Sequence, residues 1–363
     1  MKPHAEIHFK RAWERRFSFF RDTTLMIRTG ILGLGTHWDD RYGPVLKSLR
    51  QRMNVRAVYN CVTNRAEQIA SEMGANVVQG IRSLMERSDI QAVLWIDPAW
   101  HGIYPLQAAL SYGKPIFLGG SIQAPLADWK SLYTTVQSQG LTVIPELSRR
   151  YTPATSRLHE LMATKLGKPQ HISIQLTPSL HDAGDSPHFA IGTDRLMNLM
   201  DWCRYVMRAR PAKLHYVTAM DAAQHEWESA IEIEFHQRTP AASPPVAELT
   251  LAKTPLEPSE CPPGQSAGMI TEPVRIDIRC EQGRATIIDP VTITWEANCE
   301  PVAECLKTER TDLEVMLDLF CRRVVGGLIP VADLGDICRS LTMVDAVRRS
   351  YETRQSIVLN GEL

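Results

Sequence analysis

The groups best placed for chemistry in this chain lie where strands hand over to helices. Gly33-Leu34-Gly35-Thr36-His37-Trp38 puts a G-x-G turn between a first strand and a first helix. In such a turn the first glycine makes the tight bend and the second lets the backbone approach a pyrophosphate. The phosphate then rests on the unpaired N–H groups and positive dipole end of the helix. The third position, where a small residue lets helix and strand pack closely, holds Trp38, which either packs under the sheet or occupies the pyrophosphate shelf. Asp97-Pro98 and His101 follow a later strand, where either ionisable side chain can meet a ligand; an ordinary helix-start role is the alternative for His101. Farther on, Asp194 and Asn198 share one face of a helix, and Asp194 or Thr193 can also serve as its N-cap. Arg149 and Arg150 are expected to pair with acidic groups at a domain junction, with Arg150 orienting a substrate. A loop holds His181, Asp182, Asp185 and His188. A metal would require three or four such ligands at about 2.0–2.2 Å, and loops of this composition are common without one. No metal is expected, and His188 or Asp185 is instead a candidate acid/base. The arginines between 339 and 349 read as a solvated helix face.

The elements that must position these groups follow from hydrophobic periodicity. Strands are expected at 29–32, 55–59, 77–78, 92–96, 116–118 and 143–144, separated by helices at 44–53, 65–73, 81–87, 105–112 and 128–139. That spacing fits right-handed βαβ crossovers and a doubly wound parallel sheet, with ligands at the carboxyl ends of its strands. After Pro145 the rhythm changes. Thr152-Pro153 opens a helix over 154–166, and a second runs over about 194–208. Ile231, Ile233 and Phe235 then alternate with Glu232, Glu234 and His236, as do Val274, Ile276 and Ile278 with Arg275, Asp277 and Arg279. This predicts a mostly antiparallel sheet with helices on one face. Thr311-x-x-Glu314 reads as a capping box, a last helix covers about 333–351, and the proline-rich stretch 254–272 reads as a surface insertion. The expected organisation is an extension (1–26), a Rossmann NAD(P)-binding domain (27–148) and a C-terminal α/β domain (149–363). Lys and Arg number 40 against 41 Asp and Glu, so no global charge points to nucleic acid or an anionic membrane. No apolar run reaches the roughly 18 residues of a spanning helix. The eight cysteines include no C-x-x-C pair, which favours reduced thiols and a cytoplasmic setting. Arg21 and Asp22 interrupt the place where an export signal's apolar core would follow, and Met26 is a second candidate start.

The order of these segments resembles the Gfo/Idh/MocA family, the glucose–fructose oxidoreductase and inositol dehydrogenase group, over residues 26–359. Four segments carry the resemblance: the glycine turn; Trp95-Ile96-Asp97-Pro98-Ala99-Trp100-His101 followed by Gly113-Lys114-Pro115-Ile116-Phe117-Leu118; Leu147-Ser148-Arg149-Arg150-Tyr151-Thr152-Pro153; and Asp194-x-x-x-Asn198-x-x-Asp201. The family transfers hydride between a tightly held NAD(P) and a sugar, polyol or related carbonyl compound. A lysine in an E-K-P motif and a histidine on the second-domain helix handle the substrate hydroxyl, whose proton must leave in step with the hydride. The resemblance therefore implies NAD or NADP held by Gly33, Gly35, Thr36, His37, Trp38, Asn60, Arg65, Asp97, Pro98, His101, Gly119 and Gly120. It implies a sugar-like substrate met by Arg150, Asp194 and Asn198, and a homo-dimer or homo-tetramer formed through the C-terminal sheet.

Five functional positions depart from the family pattern. E-K-P falls on Gly119-Gly120-Ser121, the histidine on Asn198, the ribose-gripping acid on Asn60, the threonine of a T-P turn on Asp97, and the third glycine on Trp38. Loss of the carboxylate at Asn60 removes repulsion of a 2′-phosphate, so Asn60 with Arg65 can favour NADP; a first-turn place on a solvated helix face is the alternative for Arg65. With the lysine and histidine absent, the catalytic candidates are Asp194, His188 or Asp185 for proton handling, with Asn198 and Arg150 orienting the hydroxylated substrate. Two readings stay open: an oxidoreductase with rerouted proton transfer, and a non-catalytic pseudo-oxidoreductase serving as a ligand-binding or partner subunit.

Overall fold

The computed structural model describes residues 26–97, 101–120, 124–176, 191–220, 226–236, 243–252, 274–297 and 300–359. The first part runs β1 (Ile27–Leu32), a π-helical turn (Trp38–Tyr42) continuing into α1 (Gly43–Ser48), β2 (Met53–Tyr59), α2 (Thr63–Met73), β3 (Asn76–Val77), α3 (Ile81–Met85), β4 (Ala92–Trp95), α4 (Tyr104–Ser111), β5 (Ile116–Leu118), α5 (Leu126–Gln139) and β6 (Val143–Pro145). Its six strands are all parallel, in the order β3-β2-β1-β4-β5-β6. Strands β4, β5 and β6 are buried along their whole length, which is why they read as unbroken apolar runs rather than alternating ones. The strand order reverses at β1 and β4, so a crevice opens at their carboxyl ends. The first helix is shorter than the expected 44–53. It ends at Ser48, and Met53, expected as its last residue, instead opens β2 and is buried, as is Val55 of the expected strand.

A 3-10 turn (Ser148–Tyr151) leads into α6 (Pro153–Leu161), extended by a π turn to Leu166. Thr152 caps α6, its hydroxyl accepting from Thr155 N–H at 3.3 Å. Next come β7 (Pro169–Leu176), α7 (Thr193–Met207), β8 (Pro211–Met220), β9 (Glu226–Phe235), β10 (Val246–Ala252), β11 (Val274–Cys280), β12 (Arg284–Asp289), β13 (Thr292–Glu296), β14 (Val302–Cys305), α8 (Asp312–Val324), α9 (Leu334–Thr353) and β15 (Ile357–Val358). The nine strands order as β14-β13-β12-β11-β7-β10-β9-β8-β15, antiparallel except for the parallel pair β7 and β10. The register lines up one apolar row across the sheet: Ile293, Ile287, Ile276, Ile174, Leu249, Ile231 and Tyr216 sit opposite one another in turn, and all are buried. A slip of one residue in any strand would turn its apolar set outward, so this row fixes the pairing. The insertion expected at 254–272 lies outside the described residues.

Two caps differ from expectation. Thr311 accepts from Glu314 N–H at 3.2 Å, but the Glu314 carboxylate is taken by Arg310 at 3.1 Å, so the box is only half closed. The reciprocal box forms instead at α9, between Asp333 and Asp336. At α7 the N-cap is Gly192, with Thr193 and Asp194 already in the first turn.

Helix α8 returns to the parallel sheet. Its Leu313, Met316, Leu317 and Phe320 share a core with Ile31, Trp38 and Phe117, and the Phe117 and Phe320 rings meet edge-on at 6.0 Å. The junction is further tied by Arg150, 9% exposed, whose Nε donates to Asp201 at 2.6 Å and Nη1 to Asp336 at 3.1 Å. Burial alone would raise the Asp336 carboxyl, but the Arg150 guanidinium outweighs it and holds the group at about 2. Removing one partner strands the other charges in the interior, so Arg150→Met should lower stability by about 3–5 kcal/mol in urea unfolding. Because the folded value lies below the ordinary value of about 3.9, the contribution of Asp336 is complete above pH 4 and is lost as pH falls toward 2. In Arg150→Met the carboxyl returns toward its ordinary range and this part of the acid dependence should flatten; an unchanged slope of stability against pH between 2 and 4 would refute the pairing.

Candidate functional site

The crevice at the carboxyl ends of β1 and β4 is built around the glycine turn. Gly33 and Gly35 have φ of +72° and +62°, the left-handed region that side chains disfavour. At Gly33 a second reason applies: a Cβ would lie 2.9 Å from the Asp97 Cβ and 3.1 Å from its carbonyl oxygen. The end of β4 therefore presses directly on the turn. Asn60 holds it from the other side, its Oδ1 accepting from Leu34 N–H at 3.2 Å while its Nδ2 donates to the Val62 carbonyl at 3.3 Å. An aspartate there could accept but could not donate, so the amide has a structural task that a carboxylate would only half perform.

Trp38 takes the core position. It is 3% exposed and belongs to the cluster of Ile31, Leu34, Tyr42 and Phe320 beneath the sheet. Gly43 makes room for it, since a Cβ there would come within 2.9 Å of the Trp38 carbonyl oxygen. His37 precedes the helical segment without a side-chain cap, and Thr36 is exposed beside it. The first turn carries Asp39 and Asp40, which complement the helix dipole. Asp39 is ion-paired with Arg65, from the first turn of α2, so that guanidinium is engaged rather than merely solvated.

Around Asp97 the Trp95 indole N–H donates to the Asp97 carbonyl at 3.1 Å. His101 Nε2 lies 3.7 Å from the Cys61 sulfur, and its ring is tilted against Tyr59 at 6.1 Å. Partial burial, and then Cys61, push the Tyr59 hydroxyl upward. Pro98 lies outside the described residues.

Gly119 and Gly120 follow β5, and the residue that organises them is Glu146, at the end of β6. Its buried carboxylate accepts from Arg41 Nη2 at 2.6 Å, Ser148 Oγ at 3.1 Å, Gly120 N–H at 3.1 Å and the Tyr42 hydroxyl. Burial would raise its pKa, but Arg41 and these hydrogen bonds outweigh burial and keep it below the usual carboxylate range. The Tyr42 hydroxyl is pushed far up by burial and by the facing carboxylate. A Cβ at Gly119 would fall on the Tyr42 hydroxyl and 3.1 Å from the Trp95 carbonyl oxygen. Arg41 also binds Asp312 of α8 at 2.7 Å. Sequence reasoning missed Arg41, Tyr42, Glu146 and Asp312. An acid at the carboxyl end of a parallel strand was the one available signal, and it pointed to Glu146.

On α7, Asp194 lies in the first turn, and Asn198 Nδ2 donates back to the Asp194 carbonyl at 2.9 Å. The motif's last acid, Asp201, is the Arg150 partner. Arg150 thus has its guanidinium committed to two carboxylates. His188 and Asp185 lie outside the described residues, and among the described residues no group of three or more His, Cys, Asp or Glu is placed to hold a metal. No described helix is long and apolar enough to cross a membrane.

Residues 27–147 match the sequence model of the Gfo/Idh/MocA oxidoreductase family, NAD-binding Rossmann fold. No curated protein matches the chain by sequence. Among solved structures, UDP-N-acetylglucosamine 3-dehydrogenase GnnA from Acidithiobacillus ferrooxidans superimposes with a TM-score of 0.69 at 16% identity, covering 91% of this chain and 99% of that one. A putative myo-inositol dehydrogenase from Sinorhizobium meliloti 1021 gives 0.68 at 17% identity, over 92% and 100%. A variant of KijD10, a 3-ketoreductase from Actinomadura kijaniata in complex with TDP-benzene and NADP, gives 0.66 at 18% identity, over 90% and 98%. Residues 27–147 thus match the Rossmann unit of the Gfo/Idh/MocA oxidoreductases, and the chain has the two-sheet fold of these structures.

Proposed function

We propose that this chain binds NAD or NADP at the glycine turn and acts, in the cytoplasm, as an oxidoreductase-type protein on a sugar, polyol or related hydroxylated compound. One observation carries the reading: Gly33 and Gly35 keep the left-handed turn while Trp38 is buried beneath the sheet, away from the place a pyrophosphate would take. The residues present fit the cofactor. Gly33, Gly35, Thr36 and His37 would present backbone N–H groups to the phosphates, and Asn60 and Arg65 lie toward the ribose. Asp97, Pro98, His101, Gly119 and Gly120 would border the nicotinamide side. When bound, the nicotinamide supplies or accepts the hydride. Asp194 is our candidate for taking the hydroxyl proton, with His188 and Asp185 as further acid/base candidates and Asn198 orienting the hydroxyl. Arg150 acts on the substrate side by fixing α7 through Asp201. We assign the open, polar face of the second sheet to assembly of a homo-dimer or homo-tetramer.

The second reading, a non-catalytic ligand-binding or partner subunit, is favoured by the Glu146 network. It occupies the loop where a lysine would stand, and the Asn198 amide is spent on helix backbone. Fluorescence titration separates the cases. Saturable binding of NADH or NADPH with turnover on any of a panel of polyols and sugars supports the enzyme. Cofactor binding without turnover supports the second reading, and no binding of either nucleotide at about millimolar concentration defeats the cofactor site.

Two substitutions follow from the geometry. Asp39→Asn frees Arg65 to meet a 2′-phosphate, so the preference for NADPH over NADH should rise about two- to fivefold, the worth of an exposed ion pair. Gly119→Ala places a methyl on the Tyr42–Glu146 contact and should cost about 1–3 kcal/mol in thermal or urea unfolding. Gly80→Ala, likewise outside the left-handed region and with open space around it, is the control and should change stability by less than about 0.5 kcal/mol; equal losses at the two positions would count against the packing argument.

A further inference from the structure

A cavity of about 530 Å³ lies between the C-terminal end of α7, the start of β8, α9 and β15. Every residue that lines it falls outside the glycine turn, the Glu146 loop and the first turn of α7. Arg204, ten residues beyond Asp194 on α7, stands about 15 Å farther along the helix axis. Its wall is chemically divided. Arg204, Arg210, Arg339 and Arg349 face one carboxylate, Asp345, while Pro211, Met343, Ile357 and Leu359 are among the apolar residues that complete the lining. The edge strand β15 closes this wall by pairing with β8, Leu359 N–H donating to the Ala212 carbonyl at 2.8 Å.

The arginines at this cavity have too few carboxylates. Asp201 and Asp336 are shared among Arg150, Arg204 and Arg339, with Arg204 only at 3.6 and 3.7 Å from them and Arg339 also 3.8 Å from Asp333. Arg204 Nη1 and Arg339 Nε are buried and lack a hydrogen-bond partner among the described residues. Burial, together with the neighbouring Arg339 and Arg150 charges, lowers the Arg204 pKa even though Asp201 and Asp336 oppose the shift. Arg210 and Arg349, both exposed at the rim, add two further guanidinium groups. Planar guanidinium groups pair with carboxylate or phosphate through two parallel hydrogen bonds. The helix face that the sequence reads as solvated is therefore, at Arg339 and Arg349, the wall of a cavity.

We propose that this cavity is a binding site for a small organic oxyanion, a phosphate ester or carboxylate carried on an apolar body, distinct from the proposed cofactor crevice. The anionic head would sit between Arg204 and Arg339 and be closed over by Arg210 and Arg349. The apolar body would lie against Met343, Pro211 and Ile357. The volume falls within the range of small-molecule sites, about 300–1,000 Å³. Asp345 opposes the anion and sets an upper limit on its charge.

Calorimetric titration of the full chain at low ionic strength with phenyl phosphate, phenylacetate and the neutral benzyl alcohol tests the site. One of the two anions should bind saturably, one per chain, and the tighter arm assigns the head group; benzyl alcohol should show no saturable binding. The double variant Arg210→Gln, Arg349→Gln changes only exposed side chains, so it keeps the fold, and should weaken that anion at least about tenfold. Asp345→Asn should tighten it. Arg284→Gln, on the far strand β12, should leave it unchanged. Absence of saturable anion binding, affinity unaltered in the double variant, or benzyl alcohol binding as well as the anions would each overturn the proposal. NADH titration of the same double variant keeps this outcome separate from the cofactor reading, since no residue is shared between the two sites.

Discussion

A buried carboxylate has to be answered by donors, and Glu146 is answered from four directions. Arg41 comes from the helical segment after the glycine turn, Tyr42 from its neighbour, Ser148 from the entry to the second part of the chain, and Gly120 from the loop after β5. Arg41 continues to Asp312 on α8. One charge-assisted cluster therefore joins the turn, two strand ends and a helix that arrives from residue 312. Desolvating Glu146 without these partners would cost several kcal/mol, so the geometry of the crevice and the stability of the junction are set by the same atoms. The crevice is not a free surface onto which side chains were placed; its floor is part of the interior.

Arg150 does for the second sheet what Glu146 does for the first. It joins the 3-10 turn after β6 to α7 through Asp201 and to α9 through Asp336. The two clusters lie close in sequence, at 146 and 150, on either side of Ser148. This short connection, with one buried acid and one buried base, fixes both the Rossmann unit and the helices of the second sheet. Arg204 and Arg339 extend the second cluster. At one end of α7 three guanidinium groups pack around the two buried acids Asp201 and Asp336, with Asp333 reaching only Arg339, at 3.8 Å.

Local pattern made most of the architecture legible. The alternation of Ile231, Ile233 and Phe235 settled the inward face of β9, and the apolar runs at β4 and β5 announced strands covered on both sides. Thr152-Pro153 marked a helix start that the structure keeps. What local pattern could not reach were contacts made across long separations. Arg41 meets Glu146 across 105 residues and Asp312 across 271, and nothing in the immediate neighbourhood of any of the three marks the pairing. Trp38 was legible as an anomaly but not as a solution, because its partner Phe320 arrives from a helix near the end of the chain. Of the α9 charges, Asp345, Arg348 and Arg349 do meet water as periodicity suggests, while Arg339 is partly buried against Asp336.

The departures from the family pattern gain a common physical sense when their contacts are considered together. Asn60 bridges a donor and an acceptor, which a carboxylate cannot do. Trp38 fills the core under β1 that α8 completes. Gly119 leaves the space in which the Tyr42 hydroxyl reaches Glu146, and Asn198 bonds to the Asp194 carbonyl. Asn60, Trp38, Gly119 and Asn198 are thus each part of a local packing or hydrogen-bond arrangement. A lysine brought to the Gly119–Gly120 loop would meet a carboxylate whose oxygens already accept from four groups, on backbone that at Gly120 lies at φ +67°. The loop where the family pattern has its lysine is thus tied to the same ion cluster that joins the parallel sheet to the 3-10 turn and to α8.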